Sequence, residues 1–301
     1  MEDRGTVALV ALLRSTKRRW SDIRLELLEN DPETLLWHEA GLDLFGGGAE
    51  ELLHDALTAI QSWREAGISV VSPYSLDYPG QLRAVHDYPP LLFARGEFDP
   101  IDRSAIAVVG TRKPSAGALR YIDDVVPLLA NERMPIVSGL AMGVDTAAMK
   151  ASLRARNRTI GIIGTGLNRS YPPANVELQA HIAEHHLLLS QFWPDAPPTK
   201  QSFPMRNHVM SAFSSMTLIV EAGENSGTRI QARAATRHAR PLIITRAVYQ
   251  ETQWAKELVA QRFDVSVVGD AAETLEAVRA IRNRGAAAEH WAEAALPLVG
   301  G

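Results

Sequence analysis

From Ile68 onward the chain is built of short aliphatic runs, most of them followed by a helix-length segment, and this alternation constrains the fold more than any other feature. The runs are ISVV, LLFARG, AIAVVG, PIVS, TIGIIG, LLLS, MTLIVE, PLIIT and VSVV. Helix-length segments occupy 117–131, 142–156, 174–186, 226–239, 251–262 and 270–284. A strand that is apolar at nearly every position, rather than at every second one, must be covered on both faces. Such strands alternating with helices predict an α/β fold with a mainly parallel sheet. In sheets of this kind ligands bind beyond the carboxyl ends of the strands, where loops run into helix N-termini.

Residues 1–66 read differently. TVALVALLRS, WSDIRLELLEN and AEELLHDALTAIQSWREAG repeat apolar residues at three- and four-residue spacing. Pro32 suits the first turn of a further helix, and Gly46, Gly47 and Gly48 interrupt the pattern before the longest one. The expected organisation is a small helical domain over 1–66, an α/β domain over 67–285 and a short tail over 286–301 with no room for another domain. The apolar stretch near the N-terminus is too short for a membrane span, and its basic residues follow it, opposite to a secretory signal. A cytoplasmic protein without membrane contact is expected. With no cysteine in the chain, disulfides, thiolate metal sites and cysteine nucleophiles are excluded.

The segments after the strands carry the chemistry. AIAVVG runs into Gly110-Thr111-Arg112, PIVS into Ser138-Gly139-Leu140, TIGIIG into Gly164-Thr165-Gly166-Leu167-Asn168, and TLIVEA into Gly223 through Thr228. Glycine with small hydroxyl or amide side chains before a helix can cradle phosphate through backbone N–H groups. Any one such loop is explained by a tight strand–helix turn; four converging on one sheet edge point to a ligand. Charge agrees. Net charge is −4, yet residues 200–246 carry Lys200, Arg206, Arg229, Arg233, Arg237, Arg240 and Arg246 against Glu221 and Glu224. Residues 150–169 add Lys150, Arg154, Arg156, Arg158 and Arg169 without an acid, which predicts an electropositive face. Arg237 and Arg240 read as solvated helix surface, whereas Arg112, Arg206 and Arg229 sit at loop–helix junctions. Phe203 offers either a stacking face for a base or a core contact.

The elements SLDYPGQL, YPPLLFARGE, AVVGTR, VSGLAMGVDTAA, GTGLNRSYPPAN, FPMRN and EAGENSGT, in this order over roughly residues 5–285, resemble the DprA/Smf DNA-processing family. That resemblance implies a SAM-like helical domain over 1–66 and an extended Rossmann-like sheet over 67–285, single-stranded DNA bound in a basic pocket, dimers that help load the recombinase RecA, no catalysis and no cofactor. The pocket residues it implies are Arg112, Ser138 and Gly139, then Gly166 and Asn168, then Phe203, Arg206 and Asn207, and finally Ser226, Gly227 and Thr228. Lys200, just before FPMRN, is a looser candidate. The chain departs from the pattern at His208, where the family carries Arg, and at Met149, where it carries His. TRAVYQETQWAKELVAQ replaces a Pro-Gly and Gly-Asn-Leu-Ile element, and no winged-helix segment of the kind found in longer relatives is expected.

Other classes fit less well. A phosphoribohydrolase-type motif would place a carboxylate where Gln231 stands, and glutamine is no general base. GTGLNR has Arg169 at the third glycine position of a dinucleotide fingerprint, which argues against NAD. His181-x-x-Glu184-His185 matches an inverted zinc-protease pattern but lies in a plain amphipathic helix. An alternative remains: a nucleotide- or nucleic-acid-sensing, or toxin-neutralising, component of an antiphage defence or toxin–antitoxin module. For that reading Trp254 and Tyr249 are either anchors for a cognate effector or packed against the sheet.

Overall fold

The computed structural model describes residues 3–16, 18–40 and 48–295, with side chains through residue 287; Gly46 and Gly47 lie outside the described residues. Four helices come first: α1 Arg4–Ser15, α2 Trp20–Glu26, α3 Pro32–Ala40 and α4 Gly48–Glu65. α1 starts where Asp3 accepts from the Thr6 N–H at 3.0 Å, an N-cap that satisfies one free backbone donor. The order then runs β1 Ser69–Val71, α5 Gly80–Arg83, β2 Leu92–Arg95, β3 Ile106–Val109, α6 Ala116–Asn131, β4 Ile136–Ser138, α7 Val144–Arg154 and β5 Thr159–Ile162. It continues with α8 Val176–His185, β6 Leu187–Ser190, α9 Ser202–Phe213, β7 Met216–Ile219, α10 Thr228–Arg237 and β8 Leu242–Thr245. α11 Arg246–Glu251, α12 Gln253–Ala260, β9 Val265–Val268 and α13 Ala271–Ala295 complete it.

All nine aliphatic runs are strands of one sheet, ordered β1-β2-β6-β5-β4-β3-β7-β8-β9. β1 and β2 pair antiparallel at one end, and the seven strands from β6 to β9 are parallel. Both faces are dry, as the uninterrupted apolar runs require. Ile106 and Val108 of β3 join the cluster under α6 and α13, while Ala107 and Val109 join the one under α9, α10 and α12. The N-terminal helices share a third cluster with the antiparallel end, where Leu9, Leu36 and Ile60 pack together with Phe93 and Leu188.

Two helices differ from the expectation. α9 occupies a stretch outside the helix-length segments read from the sequence, and α13 continues past Gly285 into the segment read as a tail. Among the described residues no helix is long and apolar enough to cross a membrane.

Strand order decides where a ligand can sit. From β3 the chain moves outward one way through β4, β5 and β6, then α9 carries it back to β7 on the other side of β3. The connections leaving β3 and β7 therefore diverge to opposite sides, opening a crevice at their carboxyl ends. At the antiparallel end, Leu9 of α1 is fully buried in the cluster shared by the N-terminal helices and the sheet. Leu9→Ala is expected to lower unfolding free energy by about 2–5 kcal/mol, read as a shifted urea midpoint with an unchanged slope.

Candidate functional site

Beyond the carboxyl ends of β3, β4 and β7 lies a cleft of about 820 Å³. Its walls are Val109 to Arg112 after β3, Ala141 and Asp145 around the start of α7, one side of α9, and Gly223 to Gln231 around the start of α10. A recess of about 40 Å³ opens beside it among Gly139, Met142, Gly164, Tyr171 and Phe203.

Arg206 forms the floor shared by both. It lies in the middle of α9 and is only 5% exposed, not at a solvated loop–helix junction. Its Nη1 donates to the Ile162 carbonyl at 3.2 Å and lies 3.9 Å from Asp145 Oδ2, while its Nε has no partner. Asp145 in turn accepts the N–H groups of Gly139 at 3.1 Å and Ala141 at 3.4 Å. Burial pushes the Asp145 carboxyl above its ordinary range, and Arg206 opposes that shift. Burial likewise draws the Arg206 guanidinium down, with Asp145 opposing; a guanidinium is so basic that it stays charged regardless. Gly139 is glycine because a Cβ there would sit 1.0 Å from Arg206 Nη1.

The predicted phosphate cradles are therefore mostly internal supports. The Gly139 N–H is committed to Asp145, and the Ser138 hydroxyl is buried and donates to the Val108 carbonyl at 2.7 Å. Gly166 packs on the carbonyls of Trp193 and Pro194, and Asn168 bonds Arg95 and Asp195, both away from the cleft. At α10 the Thr228 N–H is taken by Ser226 Oγ at 3.1 Å and the Ser226 N–H by the Gly223 carbonyl at 3.2 Å. Gly227, exposed at the rim, keeps its N–H without an acceptor among the described residues.

The broad electropositive face also contracts. Arg158 and Arg154 lie at the amino end of the sheet, opposite the cleft, and pair with Asp102 and Asp123. Arg240 is not solvated surface: its Nη2 donates to the carbonyls of Gln81 at 3.1 Å and Ala212 at 3.3 Å. Arg229 does not line the cleft. What faces the cleft is Arg112 and Lys200, both exposed and without an ion pair or hydrogen bond among the described residues, with Asn207 beside them. Asp145 is the one carboxylate and there is no histidine among the described lining residues.

Among the lining residues outside the predicted set, Tyr171 and Gln231 carry unused chemistry. Tyr171, exposed, sets its ring 5.5 Å from that of Phe203 at 42°, and Phe203 itself rests against Gly164. Gln231 is buried with neither amide atom hydrogen-bonded. Trp254, by contrast, is core, only 3% exposed and donating to the Gly223 carbonyl at 3.4 Å; Tyr249 packs beside it. His181 and His185 stack 4.7 Å apart without a third converging ligand among the described residues.

Residues 69–279 match the family model described as DNA recombination-mediator protein A. The chain belongs to that family. It is 37% identical over 182 residues to the DNA processing protein DprA of Bacillus subtilis, and 40% identical over 163 residues to that of Streptococcus pneumoniae. These matches cover 60% and 54% of this chain but 61% and 57% of the relatives, so each spans less than two thirds of the relative's length. The X-ray structure of the Streptococcus pneumoniae protein superposes with a TM-score of 0.69 at 26% identity, covering 88% of this chain and 95% of that one. The structure of DNA processing protein A from Helicobacter pylori, a protein with a single-stranded DNA binding mode, superposes with a TM-score of 0.61 at 27% identity. That alignment covers 69% of this chain and 94% of the other.

In this family member Arg206 holds the cleft together from beneath. Arg206→Ala would leave Asp145 buried beside an empty cavity, at a cost of about 3–5 kcal/mol. Thermal unfolding is expected to show that loss before any binding assay is run.

Proposed function

We propose that the cleft binds single-stranded DNA without catalysis and that the chain acts in DNA recombination by holding such strands. The observation that carries this reading is the pair of unpaired cations, Arg112 and Lys200, facing a cleft whose only described carboxylate is already committed to Arg206. Beside them, Phe203 and Tyr171 present aromatic surface of the kind on which bases stack. A duplex hides its base faces, so an aromatic pair with phosphate-binding cations favours an unpaired strand. Gln231 lies buried beneath the same wall with both amide atoms unsatisfied. Among the described cleft residues there is no histidine and no carboxylate apart from the committed Asp145, a lining suited to binding rather than acid–base chemistry. Single-strand binding stated of the Helicobacter pylori relative supports the same reading. On it, homodimers that deliver the strand to RecA are the partner arrangement to test.

Fluorescence anisotropy with labelled single- and double-stranded oligonucleotides tests the proposal. Single strands are expected to bind more tightly, with affinity falling steeply between about 50 and 200 mM salt as counterions are released. Arg112→Ala and Lys200→Ala should each weaken binding and flatten the log–log salt slope by about 0.7. An unchanged slope in the double variant would remove the assignment, and competition by mononucleotides alone would turn it toward a nucleotide sensor. Gln231→Leu removes a buried, orphaned amide at similar shape, so unfolding free energy should be unchanged or about 1 kcal/mol higher.

A further inference from the structure

On a face of α9 and α10 away from the cleft, three metal-ligating side chains meet. Asp87 follows α5 on the segment leading to β2, His208 stands within α9, and His238 is the C-cap residue of α10. The Asp87 carboxylate spans the two rings, with Oδ2 2.8 Å from His208 Nδ1 and Oδ1 2.6 Å from His238 Nε2. His238 has no exposed side-chain surface, and its second ring nitrogen lies 3.0 Å from the buried Ser211 Oγ. His208 is 31% exposed, which opens one side of the group to solvent. Among the described residues this is the only set of three or more such groups whose ligand atoms all lie within 4.8 Å of one another.

We propose that Asp87, His208 and His238 form a binding site for one divalent cation of the zinc class, with water in the remaining position. Two imidazole nitrogens with one carboxylate suit zinc, whereas magnesium and calcium favour oxygen alone. Ligand bonds of about 2.0–2.1 Å in a tetrahedral shell separate donor atoms by roughly 3.3 Å. Each ring would thus recede by about half an ångström from Asp87 to admit the ion. The protons balance without loss to solvent. A neutral His238 moves its proton from Nε2 to Nδ1, where Ser211 Oγ can accept it, and a neutral His208 moves its proton to the nitrogen turned away from Asp87. Ser211 is then the outer partner that fixes which nitrogen meets the ion. Because the three ligands come from separate elements, the ion would fasten the segment before β2 to both helices that wall the cleft.

The test is zinc stoichiometry on the full chain after equilibration with zinc and gel filtration, together with the visible spectrum of the cobalt-substituted protein. Wild type is expected to retain one equivalent, show the intense bands of tetrahedral cobalt and melt at higher temperature with zinc than with chelator. The surface pair on α8 could bind metal on its own, so the His181→Ala/His185→Ala variant serves as a control and should keep that equivalent. His208→Ala and Asp87→Asn should lose it, with affinity at least about tenfold weaker; His208→Gln, which retains a polar group, covers the case in which the alanine variant misfolds. If wild type holds no more zinc than His208→Ala, or its metal vanishes only with His181 and His185, the proposal is overturned and the group is a hydrogen-bonded brace.

Discussion

A guanidinium buried under the carboxyl edge of a parallel sheet organises this molecule's cleft. Arg206 bonds the last residue of β5 and pairs with Asp145 near the start of α7, and Asp145 gathers the N–H groups of the β4–α7 turn. Charges are costly to bury, and a pair of them is tolerated only where each also finds hydrogen bonds. Here that requirement draws three separate connections to one point. Gly139 follows from the same constraint, since no side chain fits between its backbone and the guanidinium. The cation beneath the cleft is committed to these partners, whereas Arg112 and Lys200 face the cleft itself.

Topology supplies the rest. The outward walk from β3 to β6 and the return through α9 place β7 against β3, so two diverging connections frame the crevice. α9 is both the return path and a wall. It carries Phe203, Arg206 and Asn207 toward the cleft while His208 bonds Asp87 on another side. The histidine at the position where the family pattern has arginine is not among the described residues that line the cleft.

The sheet was legible in the sequence because a parallel strand covered on both faces has a signature that survives without context, as Ile106 to Val109 illustrates. α9 was not. SFPMRNHVMSAF has Pro204 near its start and buries Ser202, Arg206 and Ser211 along with Val209 and Met210, so no apolar stripe stands against a polar one. Charge counting overreached for a related reason. Arg154 and Arg158 are close in sequence to the glycine loops but precede β5, and a strand separates its two ends onto opposite edges of the sheet. Arg112 and Lys200 were readable as cations, though not as the ones left unpaired. Tyr171 lay inside the quoted GTGLNRSYPPAN element, yet its partner Phe203 is distant in the chain. Gln231 drew notice only as a missing base, because an unsatisfied amide becomes visible only once its surroundings are packed.

The pairing of β3 with β7 has a consequence for how the molecule comes into being. Ile106 meets Met216 and Val109 meets Ile219, although three other strands of the sheet lie between them in the chain. During synthesis β3 through β6 can assemble while one edge of β3 still waits for its neighbour. That edge is apolar on both faces and presents unpaired backbone groups, a template for the wrong strand as readily as the right one. Contacts so distant in sequence are slow to form. The crevice between β3 and β7 is thus among the last features to appear, and a nascent chain stalled before Met216 would expose the strand edge that later frames it.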